Sequence, residues 1–255
     1  MLLNTLINIL DIELNSHNIN DYSPNGLQVE GKQEVTKIVS GVTASLALIE
    51  QAISLKADAI LVHHGYFWKG ESSIIVGMKK RRLQKLLEHD ISLISYHLPI
   101  DVHTTLGNNA QIGKLLNVEN VQSILSIKPL GIVMTGTLRK PMPHQYFSDT
   151  LSSLLNRQII SVGNKSTIKN VAWCTGGGQN FIDQVVEQSD LDSPIDAFIS
   201  GEISEQTTHS ALEQNIDFFA AGHHATERYG VKAIGEWLRD VHSLDVQFVD
   251  IDNPA

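Results

Sequence analysis

Three apolar runs of the sequence end in histidine, and carboxylates follow two of them closely. The residues at these three ends are His63 and His64; His97 and Asp101; and His223, His224 and Glu227. A hydrophobic core has little use for adjacent imidazoles, whereas imidazole and carboxylate groups bind metals. If each run is a strand of a parallel sheet, the three ends lie along one edge, where α/β proteins bind ligands. We therefore expect these side chains to meet at one metal site.

The third of these ends has helical spacing. His223 and Glu227 are four residues apart and so lie on one face of a helix. Zinc-protease helices use this spacing for two histidines. His224 lies three residues before Glu227 and is a further candidate ligand.

The ligand types and their number indicate which metals bind and how many. Imidazole and carboxylate without thiolate suit Zn, Fe, Mn or Ni better than Cu(I) or an iron–sulfur cluster. An open tetrahedral site takes about three protein ligands, whereas the six candidates other than His224 suit two ions ~3.5–4 Å apart with a bridging carboxylate. We expect two divalent ions per chain.

Several other features have a structural interpretation that competes with a functional one. Single histidines are expected to be hydrogen-bonded structural residues: His17, His89, His103, His144 and His242. His209 is either structural or a hydrogen-bond partner of a ligand. The glycine-rich segment 175–179 either cradles a phosphate or forms a tight turn. The aromatic run 66–68 could stack a base, although a packing role is preferred.

Composition excludes some function classes. The net charge of −9 argues against a nucleic-acid partner, which needs a basic face. The basic run 79–82 is expected to be a solvated helix face, with a handle for anionic substrates as the alternative. No segment approaches the ~18 apolar residues that span a bilayer, and residues 1–14 fit an amphipathic helix better than a signal peptide. The single Cys174 excludes an internal disulfide, and we expect a cytoplasmic protein.

Strands and helices alternate along the chain, which is typical of an α/β fold with mostly parallel sheets. Strands are expected at 37–42, 58–64, 91–97, 131–138, 168–174, 195–200, 216–222 and 245–251. Helices are expected at 45–55, 77–90, 106–116 and 143–155. Because His63 and Glu227 must meet across half the chain, we predict a first domain of 1–128 plus roughly 215–255, which carries the ligands. The second domain is 129–214.

Five segments of the chain together carry a family resemblance. They are residues 25–31, 62–71, 95–109, 200–209 and 221–230. The chain resembles the NIF-three-like family, also called GTP cyclohydrolase I type-two homologues, in its short form without an extra central domain. The resemblance implies two interlocked α/β domains, a dinuclear metal centre and a toroidal homohexamer. By motif the ligands correspond to His63, His64, Asp101, His223 and Glu227, with His97 at the site.

Two classes of function fit these residues. The first is a metal-dependent hydrolase for a small anionic nucleotide, in which His97 or His224 moves protons. A GTP-cyclohydrolase-type reaction would place hydroxide on C8 of the purine and release formate. The second is a non-enzymatic metal-handling or regulatory factor that acts through a partner. The sequence does not separate them, because storage and catalysis use the same ligand types.

Overall fold

The structure is a computed structural model that describes residues 1–189 and 194–255. The helices are α1 Leu3–Glu13, α2 Leu46–Ser54, α3 Gly77–Glu88, α4 Leu98–Val102, α5 Asn108–Leu115, α6 His144–Leu155, α7 Ile182–Glu187, α8 Glu205–Glu213 and α9 His223–His242. The strands are β1 Gly26–Val29, β2 Lys37–Thr43, β3 Ala59–His64, β4 Ser92–Ser95, β5 Val118–Ser123, β6 Met134–Met142, β7 Ile160–Val162, β8 Ile168–Cys174, β9 Ala197–Ser200, β10 Asp217–Ala220 and β11 Asp245–Phe248.

The chain divides into two compact units. The first unit comprises Met1–Ile100 and Gly230–Asp252, and the second comprises Asp101–Tyr229 and Asn253–Ala255. The chain therefore leaves the first unit within α4 and returns to it within α9.

The first unit contains a five-stranded sheet in the order β1-β4-β3-β2-β11. Its inner strands β2, β3 and β4 pair in parallel. Residues 59–62 of β3 are fully buried, as expected for a parallel strand covered on both faces. Asp58, just before β3, accepts hydrogen bonds from the backbone N–H groups of Thr36 and Lys37 and so ties β3 to the start of β2.

The second unit contains a six-stranded sheet in the order β5-β6-β8-β9-β10-β7. The core between this sheet and its helices includes Trp173, Phe147 and Phe219. Asp196, just before β9, accepts from the backbone N–H groups of Lys169 and Asn170, where β8 begins. In both units, therefore, an aspartate just before one strand bonds to backbone N–H groups at the start of the neighbouring parallel strand.

The predicted α/β class is confirmed. The fraction of strand pairs that are parallel differs between the two sheets. Among the described residues, three of the four pairings in the first sheet are parallel. In the second sheet two of five are parallel, because β5, β6 and β7 join as antiparallel strands. Strands β8, β9 and β10 pair in parallel and are followed by helices α7, α8 and α9, as strand–helix alternation predicts.

The observed division differs from the predicted domain boundaries. In the predicted and the observed division alike, the first unit consists of two separate stretches of the chain. In the structure, however, residues 101–128 and 215–229 belong to the second unit. The physical reason lies in strand pairing: β5 pairs with β6, and β10 pairs with β9 and β7. Strand formation by 118–123 was not expected from the sequence, because this segment is polar and mostly exposed.

The N-terminal segment forms the amphipathic helix α1, as predicted. Leu3, Leu6 and Leu10 of α1 are buried, and Ile12 is exposed. Within the described residues, every helix is too short or too polar to cross a bilayer.

Candidate metal centre

Three histidines of the first unit come together at the ends of two neighbouring strands. His63 and His64 end β3, and His97 follows β4, which pairs with β3 in parallel. Each residue offers a ring nitrogen, and the three nitrogens lie within 4.8 Å of one another. The ring centroids of His63 and His64 are 4.5 Å apart, and those of His63 and His97 are 5.0 Å apart. The strand ends therefore concentrate three imidazoles at one point.

The Nδ1 atom of each of these histidines lies next to an oxygen. The partners are the carbonyl of Tyr96 at 3.2 Å from His63, the hydroxyl of Thr43 at 3.2 Å from His64, and the carboxylate of Asp21 at 2.9 Å from His97. A carbonyl and a carboxylate can only accept, so Nδ1 of His63 and His97 carries the proton. In the neutral ring Nε2 then holds the lone pair that a metal needs, as in known metal sites.

Asp21 is a buried carboxylate that holds this arrangement. It accepts hydrogen bonds from the backbone N–H groups of Tyr22 and Leu98, at 2.7 Å and 2.8 Å. Burial favours the neutral acid, but the bonds from His97, Asn25 and Leu98 outweigh it and lower the pKa of Asp21. Asp21 is therefore an anion that fixes the orientation of His97.

In the second unit, the first turn of α9 pairs a histidine with a glutamate. His223 Nε2 lies 3.1 Å from Glu227 Oε2, and His223 Nδ1 lies 2.7 Å from Glu202 Oε1. Burial opposes protonation of His223, but Glu227 and Glu202 outweigh it and raise its pKa to about 9. In the metal-free protein this imidazole is a cation between two carboxylates at neutral pH. The two carboxylates therefore make the site of the His223 ring favourable for a positive charge.

Asp101, in α4, is held by two polar side chains of the second unit. Its Oδ1 accepts from the Asn108 amide at 2.8 Å and from the Thr175 hydroxyl at 3.3 Å. Thr175 follows β8, and the preceding Cys174 is buried. Burial raises the pKa of the Cys174 thiol, and the charges of Asp101 and Glu227 raise it further. Cys174 is therefore a neutral thiol, and the neutral thiol is a poor nucleophile.

The glycine-rich segment after β8 approaches α9 closely. Gly176 has φ +64°, and a Cβ there would lie 2.0 Å from Glu227 Oε1. Its N–H donates to the Thr226 hydroxyl at 3.0 Å, and the Gly178 N–H donates to the Gly176 carbonyl. Of the two interpretations of this segment, these contacts favour the tight turn, because two of its N–H groups are bonded within the protein.

The remaining histidines occupy varied positions. His224 is buried, and its backbone N–H donates to the carbonyl of Ala255. His144 is bonded to Asp217 and Ser161 at 2.7 Å and 2.9 Å, in the structural role expected for it. His209 lies exposed on α8.

Four further residues, not predicted from the sequence, bond to the candidate ligands: Asp21, Thr43, Glu202 and Asn108. Glu202 carried a usable signal, because it follows a strand in the same way as the predicted ligands do. Each unit thus has candidate metal-binding side chains, and these fit a divalent ion: oriented imidazoles in the first unit, and carboxylates with a further imidazole in the second.

Comparison with known proteins assigns the chain to a family. The model of the Duf34/NIF3 (NGG1p interacting factor 3) family matches residues 1–254, so the chain belongs to this family and the predicted resemblance is confirmed. A protein of Haemophilus influenzae, named GTP cyclohydrolase 1 type 2 homolog, is 55% identical over 249 residues, 97% of each chain. A protein of Escherichia coli K12 with the same name is 51% identical over 249 residues, again 97% of each chain.

Solved structures agree in fold. The structure of protein ybgI, described as of unknown function, matches all of both chains with a TM-score of 0.94 and 50% sequence identity. A protein of Thermus thermophilus matches all of both chains with a TM-score of 0.88 and 30% identity.

Proposed function

We propose that this chain binds two divalent metal ions and is a metal-dependent hydrolase for a nucleotide-like substrate. The proposed ligands are His63, His64, Asp101, His223 and Glu227, with Glu227 bridging the two ions. His97 and His224 are the proposed proton carriers, and His97 is a further candidate ligand. The proposed metals are Fe, Mn, Zn or Ni, which imidazole and carboxylate ligands suit.

The observation that carries the proposal is the orientation of the histidines. The Nδ1 atoms of His63, His97 and His223 all face oxygen acceptors, which come from different parts of the chain. A structural histidine needs one such bond for itself, but a packed core gives no reason to align several at neighbouring strand ends. A metal site does give a reason for this alignment, because the Nδ1 bond fixes the ring and leaves Nε2 for the ion.

The donor types of the proposed ligands suit two ions. His63, His64 and His223 supply imidazoles, and Asp101 and Glu227 supply carboxylates. Together they are the mixed donor set that a dinuclear site uses.

Each residue then has a defined task. Metals at such a site lower the pKa of bound water and polarise the bond under attack. Asp21 holds Nδ1–H of His97, so that His97 can pass a proton at Nε2, like a histidine oriented by a buried aspartate in other enzymes. Glu202 orients His223 in the same manner.

The names of the relatives support a nucleotide-like substrate, and the family resemblance supports a hexameric ring. A ring of identical interfaces would enclose the sites and restrict water, which a hydrolytic centre requires. The proposed compartment is the cytoplasm, as expected for a chain with one cysteine.

The test is turnover by the metal-reconstituted protein. Protein loaded with Fe, Mn, Zn or Ni is incubated with GTP, and formate release is measured. We expect release from wild type and from the control Glu236→Gln, an exposed acid of α9, and loss of at least 100-fold in His63→Ala and Glu227→Gln. Bound metal without turnover of GTP or of phosphoesters would contradict the hydrolase and favour the metal-handling role.

A further inference from the structure

Two aromatic rings border the histidine cluster of the first unit. Trp68 and Tyr22 each meet the ring of His97 edge to face, with centroid distances of 4.9 Å. Trp68 also lies 6.0 Å from His64, and 5.7 Å from Tyr22. We call Tyr22 and Trp68 the aromatic wall.

Hydrogen bonds hold the wall in place. The indole N–H of Trp68 donates to the carbonyl of Gly65 at 3.2 Å, and the Tyr22 carbonyl accepts from the Lys69 N–H at 2.8 Å. The backbone N–H of Tyr22 is bonded to Asp21, the residue that orients His97. The polar atom of the indole is therefore bonded to the backbone, and the rings offer a preformed apolar surface, which reduces the entropy cost of binding.

The exposure of the wall distinguishes it from the packed aromatic residue beside it. Tyr22 is 54% exposed and Trp68 is partly exposed, although both border buried histidines. Tyr66, in contrast, is 5% exposed, and its hydroxyl donates to the carbonyl of Ala44. The aromatic run 66–68 thus divides: Tyr66 has the expected packing role, and Trp68 faces the cluster.

We propose that the aromatic wall binds the planar heteroaromatic ring of the substrate and thereby selects compounds that carry such a ring over compounds that lack one. This inference rests on the proposed function and specifies its substrate class. A planar ring can stack on an aromatic face whatever hydrogen-bonding groups its edge carries, so stacking supplies affinity. Because the aromatic wall lies beside His97 and His64, a ring bound there would lie close to the candidate metal ligands. Tyr22 and Trp68 are then substrate-contacting residues that determine specificity.

The experiment measures binding of guanosine, GTP and ribose 5-phosphate by calorimetry, with the intact metal-loaded protein and with the metal-free protein. The variants are Tyr22→Leu and Trp68→Leu, with Tyr22→Phe and Trp68→Phe as conservative replacements. The control is Tyr146→Leu, an exposed tyrosine of α6 in the second unit. Metal content and thermal unfolding identify any variant that fails to fold, and in that case the Leu variant at the other position of the wall decides.

We expect wild type and Tyr146→Leu to bind guanosine and GTP more tightly than ribose 5-phosphate. Each Leu variant should lose about 10-fold to 100-fold in affinity for guanosine, with its metal content unchanged, and each Phe variant should stay within about threefold of wild type. Equal guanosine affinity in wild type and folded Leu variants would overturn the proposal, as would wild type that does not distinguish guanosine from ribose 5-phosphate.

These outcomes separate the wall from the proposed hydrolase. Guanosine binding that the Leu variants weaken, without any turnover, would support the proposal for the aromatic wall and contradict the proposed hydrolase. GTP turnover at limiting substrate that is equal in wild type and the Leu variants would leave the hydrolase in place and reject the wall.

Discussion

At the scale of single residues, four candidate imidazoles bond at Nδ1 to an oxygen from elsewhere in the chain. Asp21 is 76 residues from His97, and Glu202 is 21 residues from His223. The sequence predicted which residues have metal-binding chemistry, because side-chain type and strand-end position are local properties. It did not predict Asp21 or Thr43 as partners, because such pairings exist only once the sheet has formed.

Glu202 provides a residue-scale prediction. Glu202→Ala removes the acceptor at Nδ1 of His223, and we expect metal affinity to fall about tenfold, because the ring is no longer oriented. The side chain of Glu202 is 46% exposed, so its removal should leave folding intact. The measurement is competition for Zn²⁺ with a fluorescent chelator.

The matched control for that prediction is Glu205→Ala, which removes an exposed acid three residues later in the same segment. The control should bind Zn²⁺ like wild type. Equal affinities in both variants would show that Glu202 does not support a ligand.

At the scale of elements, strand ends and the turns after them form the candidate centre. The buried strands β3, β4 and β10 could be predicted because their apolar runs are continuous. The edge strands β5 and β7 could not, because they are short and partly or wholly exposed, and their pairing depends on neighbours distant in sequence. The pairing of β5 with β6 places 118–123 in the second unit, which the sequence did not predict.

The turn after β8 gives a prediction that contrasts adjacent glycines. Gly176→Ala should lower the free energy of unfolding by about 1–3 kcal/mol and reduce metal content, because φ is +64° and the new Cβ would meet Glu227. At Gly177 the nearest atom to a new Cβ is 3.7 Å away, so Gly177→Ala should match wild type. Thermal unfolding and metal analysis of both variants check this. Similar behaviour of the two would argue against close packing of the turn on α9.

Asp58, which ties β3 to β2, gives a prediction about pH. Burial opposes its ionisation, but bonds from Lys32, Thr36 and Lys37 outweigh it and lower its pKa below 3.8. Because the folded-state pKa is the lower one, this stabilisation is present above about pH 4 and is lost as pH falls through the folded-state pKa. Asp58→Asn should cost about 1–2 kcal/mol at pH 7 and progressively less below pH 4.

Urea unfolding from pH 2.5 to 7 measures that difference. The control is Asp245→Asn, whose carboxylate is 61% exposed in its pair with Lys37, and it should change stability little at any pH. A constant penalty for Asp58→Asn across this range would contradict the role of its charge.

At the scale of the whole molecule, the two units repeat one construction on different sheets. In each, an aspartate ties two parallel strands together, and polar side chains follow the ends of those strands. The sequence predicts an interleaved chain path, because the candidate ligands lie on both sides of the middle segment. The strand order of either sheet could not, because pairing across a sheet depends on tertiary packing.

The proposed ring gives a prediction about mass. Light scattering at micromolar concentration should report about six times the 28.1 kDa chain mass, because repeated identical interfaces close into a ring. A monomer with metal still bound would remove the ring and would show that enclosure is not needed for metal binding.

The central claim is a dinuclear metal centre, and elemental analysis of the reconstituted chain by plasma mass spectrometry tests it most directly. Wild type and the control Glu236→Gln should retain two divalent ions per chain after dialysis. Glu227→Gln should lose at least one, because it removes the bridging carboxylate. Only trace metal in folded wild type, or two ions retained in Glu227→Gln, would contradict the account.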